Sequence, residues 1–245
     1  MKCKLCDEEK VLRNSHIIPE FFYTPIYDEK HKLHMLSTDP KKKNKWEQKG
    51  LREYLLCDDC EQLFHETYIR ELFYGSQKVW TTDHWKTEDL NGKSFIRIDN
   101  VDYKKFKIFQ LSVLWRASIA SGDFFKTVSV GTKHENILKQ KLLSQNPGEP
   151  DDYGCYLFCI TSEGGYAVGF IASVDSFRIQ GHRCYRFVFG GFAWLYVVSG
   201  HKKFAPNDAC IITEDKPIMA IIKEQKEIEY LQNVAPDLIH GQKPF

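Results

Sequence analysis

Apolar residues recur at helical spacing in several parts of the chain. The apolar positions 63, 64, 68, 72 and 73 predict a helix over about 60–74, which Gly75 would end. The same spacing predicts a buried helix over 102–120, a helix over 133–144 and a short last helix over 223–231. Within the buried helix we expect the long side chain of Arg116 to reach the surface.

Short runs rich in β-branched and aromatic residues dominate the last third of the chain and predict β-strands. Glu163-Gly164-Gly165 lies between two of these runs and is typical of a hairpin turn. The alternating aromatic residues from Phe187 to Tyr196 are interpreted as strand residues of a core, not as a surface for stacking bases. The predicted strands are 94–98, 155–162, 166–173, 183–190, 193–199, 209–213 and 217–222.

Two cysteine pairs, Cys3-x-x-Cys6 and Cys57-x-x-Cys60, lie in short turn-like segments. Each pair can present two thiolates from a tight turn, and two pairs complete a tetrahedral four-thiolate zinc site. A thioredoxin-like redox pair would need βαβ surroundings, which the pattern here lacks. We therefore predict one structural zinc ion at these four cysteines. The remaining cysteines, Cys155, Cys159, Cys184 and Cys210, lie in apolar runs and are interpreted as buried thiols.

The overall charge gives no attraction toward nucleic acids or membranes, because 34 Lys and Arg residues nearly balance 33 Asp and Glu residues. Any contact with a polyanion must therefore come from a local patch. Lys41, Lys42, Lys43 and Lys45 form the most basic run of the sequence. We expect this run to be an exposed loop whose lysines contact phosphates when the protein meets DNA.

The pattern also bears on where the protein acts. No apolar run of 18 residues occurs, so we expect no membrane span. Cysteines 3 and 6 occupy the positions where the apolar core of a signal peptide would begin. We therefore expect a cytoplasmic protein whose paired cysteines are metal ligands and not disulfides. Whether the chain forms oligomers stays open.

The order of motifs within residues 3–74 resembles the zinc-containing branch of the HNH, or ββα-metal, endonucleases. The resemblance rests on the first cysteine pair, on the run SHIIP at 15–19, and on LLC-x-x-C at 55–60 before a predicted helix. It implies a β-hairpin that zinc holds against a helix. It covers less than a third of the chain.

The resemblance further implies a metal-dependent endonuclease that hydrolyses phosphodiester bonds in DNA. His16 matches the general base that activates water, and Glu61 matches the helix residue that binds a catalytic Mg²⁺ or Mn²⁺. His65 lies one turn after Glu61 and on the same side of the helix, so the two side chains are candidates to chelate that metal together. By analogy, small bacterial and phage-related proteins of this kind suggest a role in restriction or phage defence.

Departures from the family pattern keep other functions open. Ser15 replaces the ligand that commonly precedes the base, no Asn lies near Arg52, and the segment between the base and the second cysteine pair is longer than expected. Asp28 or Asp39 of that segment can complete the metal site. One alternative is a catalytically inactive zinc-binding module that recognises nucleic acid or protein. Another is a regulatory protein whose β-rich region binds a small ligand.

The predicted architecture is α+β and has three segments. Residues 1–75 form a zinc-stabilised ββα-metal, treble-clef-like module, and residues 76–150 form a helical connector. Residues 151–245 form an antiparallel, β-rich region to which the sequence assigns no role.

Overall fold

A computed structural model describes residues 1–35, 44–74, 80–198, 212–214 and 216–232. Helices and strands are mixed along the chain, which confirms the α+β class. The lysines at 41–43, Cys210 and part of the predicted strand 209–213 lie outside the described residues. Within the described ranges, no helix is long and apolar enough to cross a membrane.

The N-terminal part contains two short antiparallel strand pairs. Strand β1 (Leu12–His16) leads into a 3₁₀ helix (Glu20–Ile26), and strands β2 (Leu33–Met35) and β3 (Lys45–Glu47) pair with each other. Strand β4 (Arg52–Cys57) then returns to pair with β1. The long segment between the cysteine pairs therefore lies between the two strands of one hairpin.

Helix α1 (Asp58–Phe64) begins directly after β4, with acidic residues in its first turn. Negative charge is favourable there because the backbone N–H groups at a helix start are unpaired. The predicted helix over 60–74 is present, but residues His65–Tyr74 continue it in π-helical form. The wider i→i+5 turn keeps Tyr68, Leu72 and Phe73 on the buried side together.

Two further helices match the predicted ones to within a residue or two. Helix α2 (Tyr103–Ile119) starts at Asp102, whose side chain accepts a hydrogen bond from the N–H of Lys105 at 3.0 Å. Almost every residue of α2 is buried, so the helix lies inside the protein. Helix α3 (Thr132–Leu143) packs against α2 and buries only Leu138 and Leu142.

One eight-stranded sheet takes up most of the remaining chain. Its strands are β5 (Trp85–Leu90), β6 (Lys93–Ile98), β7 (Cys155–Ser162), β8 (Gly165–Tyr166), β9 (Ala172–Ile179), β10 (His182–Phe189), β11 (Phe192–Val198) and β12 (Ile218–Glu224). Their order is β5-β6-β12-β7-β11-β10-β9, and β8 pairs with β7 outside this path. All pairs are antiparallel except β12 and β7, which run parallel.

Some predicted elements were wrong in extent. The run 166–173 is not one strand, because a turn in which the N–H of Val168 donates to the carbonyl of Tyr166 (2.8 Å) separates β8 from β9. The helix predicted over 223–231 begins later than expected and is interrupted at Ile228, with helical residues again at 229–232. Strand β12 continues to Glu224 because Glu224 pairs with Thr161, and a 3₁₀ turn over Gln225–Glu227 follows. Strand β5 was not predicted.

An aromatic core joins the N-terminal part to the sheet. The ring of Phe22 lies 5.1 Å from Phe73, 4.8 Å from Phe189 and 6.1 Å from Phe109, measured between centroids. Gly190 has φ +60°, and a Cβ there would lie 2.4 Å from the Phe22 ring. Both conformation and space therefore require glycine at this turn between β10 and β11.

The sheet takes strands from more than one predicted segment. Strands β5 and β6 come from the part of the chain predicted as a helical connector. Strand β5 pairs with β6, and β6 pairs with β12. The division of the chain at 75 and 150 stays a prediction.

Phe22→Ala should lower the free energy of unfolding by about 3–5 kcal/mol, because the truncation leaves a cavity where the N-terminal part meets the sheet. Denaturant unfolding of the zinc-loaded chain measures this. Tyr54→Ala is the control, because Tyr54 is 60% exposed and should change stability by no more than about 0.5 kcal/mol. A loss below about 1 kcal/mol for Phe22→Ala would contradict a shared core.

Candidate functional site

The four cysteines of the two pairs converge on one point. Their sulfur atoms all lie within 4.8 Å of one another, with Cys3 Sγ 3.7 Å from Cys60 Sγ and Cys6 Sγ 3.8 Å from Cys57 Sγ. A disulfide would require about 2.05 Å, and all four thiols are free. Four sulfurs at about 2.3 Å from a tetrahedral ion lie about 3.8 Å apart. The spacing therefore fits a bound metal ion.

Local backbone geometry holds these thiols in place. Cys57 is the last residue of β4 and the N-cap of α1, and Cys60 lies in the first turn of α1. The N–H of Lys4 donates to the carbonyl of Leu55 at 3.0 Å, which ties the first pair to β4. The N–H of Cys57 points at Cys3 Sγ, 3.3 Å away.

The thiols differ in acidity. Burial raises the pKa of Cys3, but N–H groups of Cys6, Cys57 and Leu5 outweigh it and lower the pKa to about 7. Burial and the neighbouring thiols raise the pKa of Cys60, and burial raises that of Cys6. Without an ion the cluster therefore disfavours several thiolates at once, which a divalent cation would reverse.

His16 is the last residue of β1 and pairs with Arg52 of β4. Its Nε2 lies 2.6 Å from Oε2 of Glu20. Both atoms are buried, and the angles between them are not those of a hydrogen bond. The other carboxylate oxygen of Glu20 accepts a hydrogen bond from the Tyr27 hydroxyl at 2.8 Å, and His31 Nε2 lies 3.7 Å from it.

Arg116 of α2 holds the backbone at His16. Its guanidinium donates to the carbonyl of His16, 100 residues away in the chain, and to the carbonyl and hydroxyl of Ser112 at 3.3 and 3.2 Å. The guanidinium also lies 5.5 Å from the centroid of the Phe64 ring. Arg116 is only 1% exposed, so the expectation that it reaches the surface was wrong.

The electrostatic surroundings keep His16 uncharged. Burial and the positive charges of Arg52, Arg116 and Lys49 lower the pKa of His16 to about 4. The Glu20 carboxylate opposes this shift, but without hydrogen-bond alignment it does not cancel the desolvation. The ring is therefore neutral at physiological pH.

The predicted ligands of a catalytic metal lie on consecutive parts of one helix. Glu61 follows Cys60 directly, and its Oε1 is buried without a hydrogen-bond partner. His65 is about half exposed, and its Nδ1 lies 3.2 Å from Oε1 of Glu66. Among the described residues, the four cysteines are the only group of three or more potential ligands that converge. The metal-binding roles of Glu61 and His65 stay predictions.

The basic groups nearest His16 differ from the predicted ones. Lys41, Lys42 and Lys43 lie outside the described residues, and Lys45 pairs with Glu47 at 2.7 Å. The side chains of Lys49 and Arg52, whose charges act on His16, form no hydrogen bond or ion pair with other described residues.

Asp28, considered as a further metal ligand, closes its own loop. Its Oδ1 accepts hydrogen bonds from the N–H groups of Lys30 and Lys32 at 3.0 and 2.7 Å. Asp39, the other carboxylate considered, lies outside the described residues.

Sequence reasoning missed Glu20, Arg52 and Arg116 as neighbours of His16. Glu20 lies four residues after His16, and this spacing beside a candidate base is a signal that could have found it. Arg52 lies opposite His16 because of the strand register, and Arg116 reaches His16 through tertiary packing. Neither arrangement produces a comparable local pattern in the sequence.

The His16 ring should stay neutral as the pH is lowered from 8 to about 5, where a histidine with the ordinary pKa of about 6.5 is mostly protonated. Ring chemical shifts measured by NMR test this. Arg52→Gln should raise the pKa of His16 by removing a positive charge. Arg70→Gln is the control and should not change that pKa, because Arg70 pairs with Glu66 on the helix surface.

Because the pKa of His16 is lower in the folded protein than in the unfolded chain, acidification lowers the stability of the fold. The unfolded chain takes up the His16 proton first, so the His16 contribution to folding is complete above about pH 6.5 and falls as the pH drops toward 4. A His16 midpoint near 6.5 in the native protein would contradict the buried, cation-facing environment.

No protein-family model matches this chain, and no curated protein or solved structure matches it significantly. Two groups of side chains bear on its function: the four converging cysteines, and the buried polar atoms of His16, Glu20 and Glu61.

Proposed function

We propose that residues 1–75 form a zinc-stabilised ββα-metal module of treble-clef type, and that the protein hydrolyses phosphodiester bonds in DNA. The main support is one juxtaposition. The four-thiol cluster ties the first cysteine pair to the junction of β4 and α1. Strand β4 pairs with β1, which ends at His16, and α1 contains Glu61. The motif resemblance over residues 3–74 adds to this support.

The metal at Cys3, Cys6, Cys57 and Cys60 is proposed to be a structural zinc. Four sulfur ligands would complete the tetrahedral coordination of a zinc ion and leave no open position for substrate or water, as in structural zinc sites. The ion would hold the first cysteine pair against β4 and α1. This contact adds to a short hairpin, because β1 and β4 share only five residue pairs. Metal affinity then contributes directly to folding.

Purified protein should contain one zinc ion per chain, measured by metal analysis, and chelation should lower its melting temperature. Cys57→Ser should bind markedly less zinc, because one of four thiolates is lost. Cys159→Ala is the matched control, because this cysteine is buried in β7 and is not part of the cluster. Equal zinc content in all three proteins would contradict the assignment.

In the proposed reaction, neutral His16 accepts a proton from a water molecule while the water oxygen forms a bond to phosphorus. The bond between phosphorus and one ester oxygen breaks, and that oxygen leaves with the electron pair. The Glu61 carboxylate fits a Mg²⁺ or Mn²⁺ site, because such ions commonly use one or two protein carboxylates together with substrate phosphate. The bound ion would stabilise the charge that develops on the phosphate.

Lys49 and Arg52 are proposed to contact the substrate phosphate. Their charges lower the pKa of His16 and have no partner among the described residues. A bound phosphate would neutralise part of this positive charge and return the pKa of His16 toward its ordinary range, so His16 becomes a stronger base only with substrate present. From the sequence, the basic run of Lys41, Lys42, Lys43 and Lys45 is also proposed to contact DNA phosphates.

A plasmid-nicking assay with Mg²⁺ or Mn²⁺ tests the function. Wild type should cleave, and His16→Ala should be slower by at least about 100-fold, because general-base catalysis contributes about 10²–10⁴-fold. Glu61→Gln should also be strongly impaired. The controls are His84→Ala and Glu163→Gln, which alter exposed residues outside residues 1–74.

Two results would contradict the proposed nuclease function. Equal cleavage by wild type and His16→Ala would remove His16 as the base. Absence of cleavage by zinc-loaded wild type that still binds DNA would favour the alternative, a zinc module that recognises nucleic acid without cutting. The proposed role in restriction or phage defence follows from the resemblance by analogy alone.

A further inference from the structure

We propose that Glu20 is the positioning residue for His16: it faces Nε2 and fixes the ring in the tautomer that carries a proton on Nε2. Nδ1 is then left to accept the proton of water. The catalytic consequence rests on the proposed nuclease function, but the tautomer itself does not.

The backbone between the two residues fixes their approach. His16 ends β1, and Glu20 begins the 3₁₀ helix Glu20–Ile26. The intervening Ile17 and Ile18 are each 1% exposed, and the N–H of Ile17 donates to the carbonyl of Leu51 at 3.2 Å. The buried residues between His16 and Glu20 therefore fix the two backbones that bring Nε2 and Oε2 to 2.6 Å.

The Glu20 carboxylate is held from its other side. Oε1 accepts from the Tyr27 hydroxyl at 2.8 Å, and the N–H of Gly50 donates to that hydroxyl at 3.0 Å. Burial and the Glu20 carboxylate raise the pKa of Tyr27, so the hydroxyl keeps its proton and continues to donate. One line of contacts thus runs from the Gly50 backbone through Tyr27 and Glu20 to His16.

The two ring nitrogens of His16 have different surroundings. Nε2 is buried against the carboxylate, whereas Nδ1 is not a buried atom and has no hydrogen-bond partner in the described part of the chain. A carboxylate cannot donate a hydrogen bond, so the proton between the pair belongs to Nε2. Catalytic hydrogen bonds are often poorly aligned before substrate binds and become aligned in the complex with substrate.

The arrangement has a defined effect on proton movement. The water proton goes to Nδ1, Nε2 keeps its own proton, and no proton passes to Glu20. The Glu20 carboxylate stabilises the imidazolium that forms, as the aspartate of a Ser-His-Asp catalytic triad does. Arg116 complements Glu20, because it holds the carbonyl of His16 while Glu20 holds the ring.

The alternative role for the His16 and Glu20 side chains is metal binding. His31 Nε2 lies 3.7 Å from Glu20 Oε1, so His16, Glu20 and His31 together offer two imidazoles and a carboxylate. Two observations favour positioning over metal binding. Oε1 is already used by Tyr27, and the His31 ring stacks on the Tyr27 ring at 4.0 Å.

The first test is the tautomer of His16, read by ¹⁵N–¹H NMR of the zinc-loaded full chain at pH 7. Wild type should show the Nε2–H tautomer. Glu20→Ala should give a mixture, whereas Glu20→Gln should keep Nε2–H because its amide oxygen still accepts. Zinc content and the amide spectrum confirm that each variant is folded, and Glu163→Gln is the matched surface control.

An Nδ1–H tautomer in wild type, or no change in Glu20→Ala, would overturn the proposal. Selective broadening of His16 and His31 by Mn²⁺ without DNA, abolished in Glu20→Ala, would also overturn it in favour of a metal site. These readouts need no enzymatic activity, so they decide on Glu20 even when no cleavage is found.

The second test uses the nicking assay. Glu20→Gln should lower kcat by at least about 10-fold with little change in KM, because the lost charge stabilises the imidazolium and not the bound substrate. Tyr27→Phe should lower it less. Cleavage by Glu20→Gln at the wild-type rate, beside an inactive His16→Ala, would overturn the positioning role and leave the nuclease in place.

Discussion

The four thiols lie where three pieces of backbone meet: the N-terminal cysteine pair, the end of β4 and the first turn of α1. The candidate catalytic residues depend on this junction. His16 ends the strand that pairs with β4, and Glu61 follows Cys60 in the chain. The raised pKa values of Cys60 and Cys6 oppose ionisation of the cluster, so an ion that stabilises several thiolates at once determines whether these segments stay together.

Helix α2 supplies the second constraint on the same hairpin. Arg116 donates to the carbonyl of His16, and Glu53 of β4 accepts from the N–H groups of Ser121 and Gly122 at the end of α2 at 2.7–3.0 Å. Both strands of the hairpin are therefore attached to one buried helix. The candidate site is built by residues far apart in the sequence, although its recognisable motif is confined to residues 3–74.

The sequence allowed the cysteine cluster and most helices and strands to be predicted, because these depend on local spacing. Two CxxC pairs, the apolar positions of α2 and the run that forms β7 are such local signals. The neighbours of His16 depend on register and packing, which no local pattern encodes. Arg116 looked like an ordinary long side chain in an apolar run, and β12 was predicted as a strand without its parallel partner.

Because of the position of β12, the sheet can be completed only after the last of its strands has been synthesised. This strand, near the end of the described chain, lies between β6 and β7 and pairs with both. During synthesis, the two neighbours are made long before the strand that joins them. Until residues 218–224 arrive, each neighbour has an open hydrogen-bonding edge, which is the kind of surface on which unfinished chains associate. The cysteine cluster, complete by residue 60, can form well before the sheet closes.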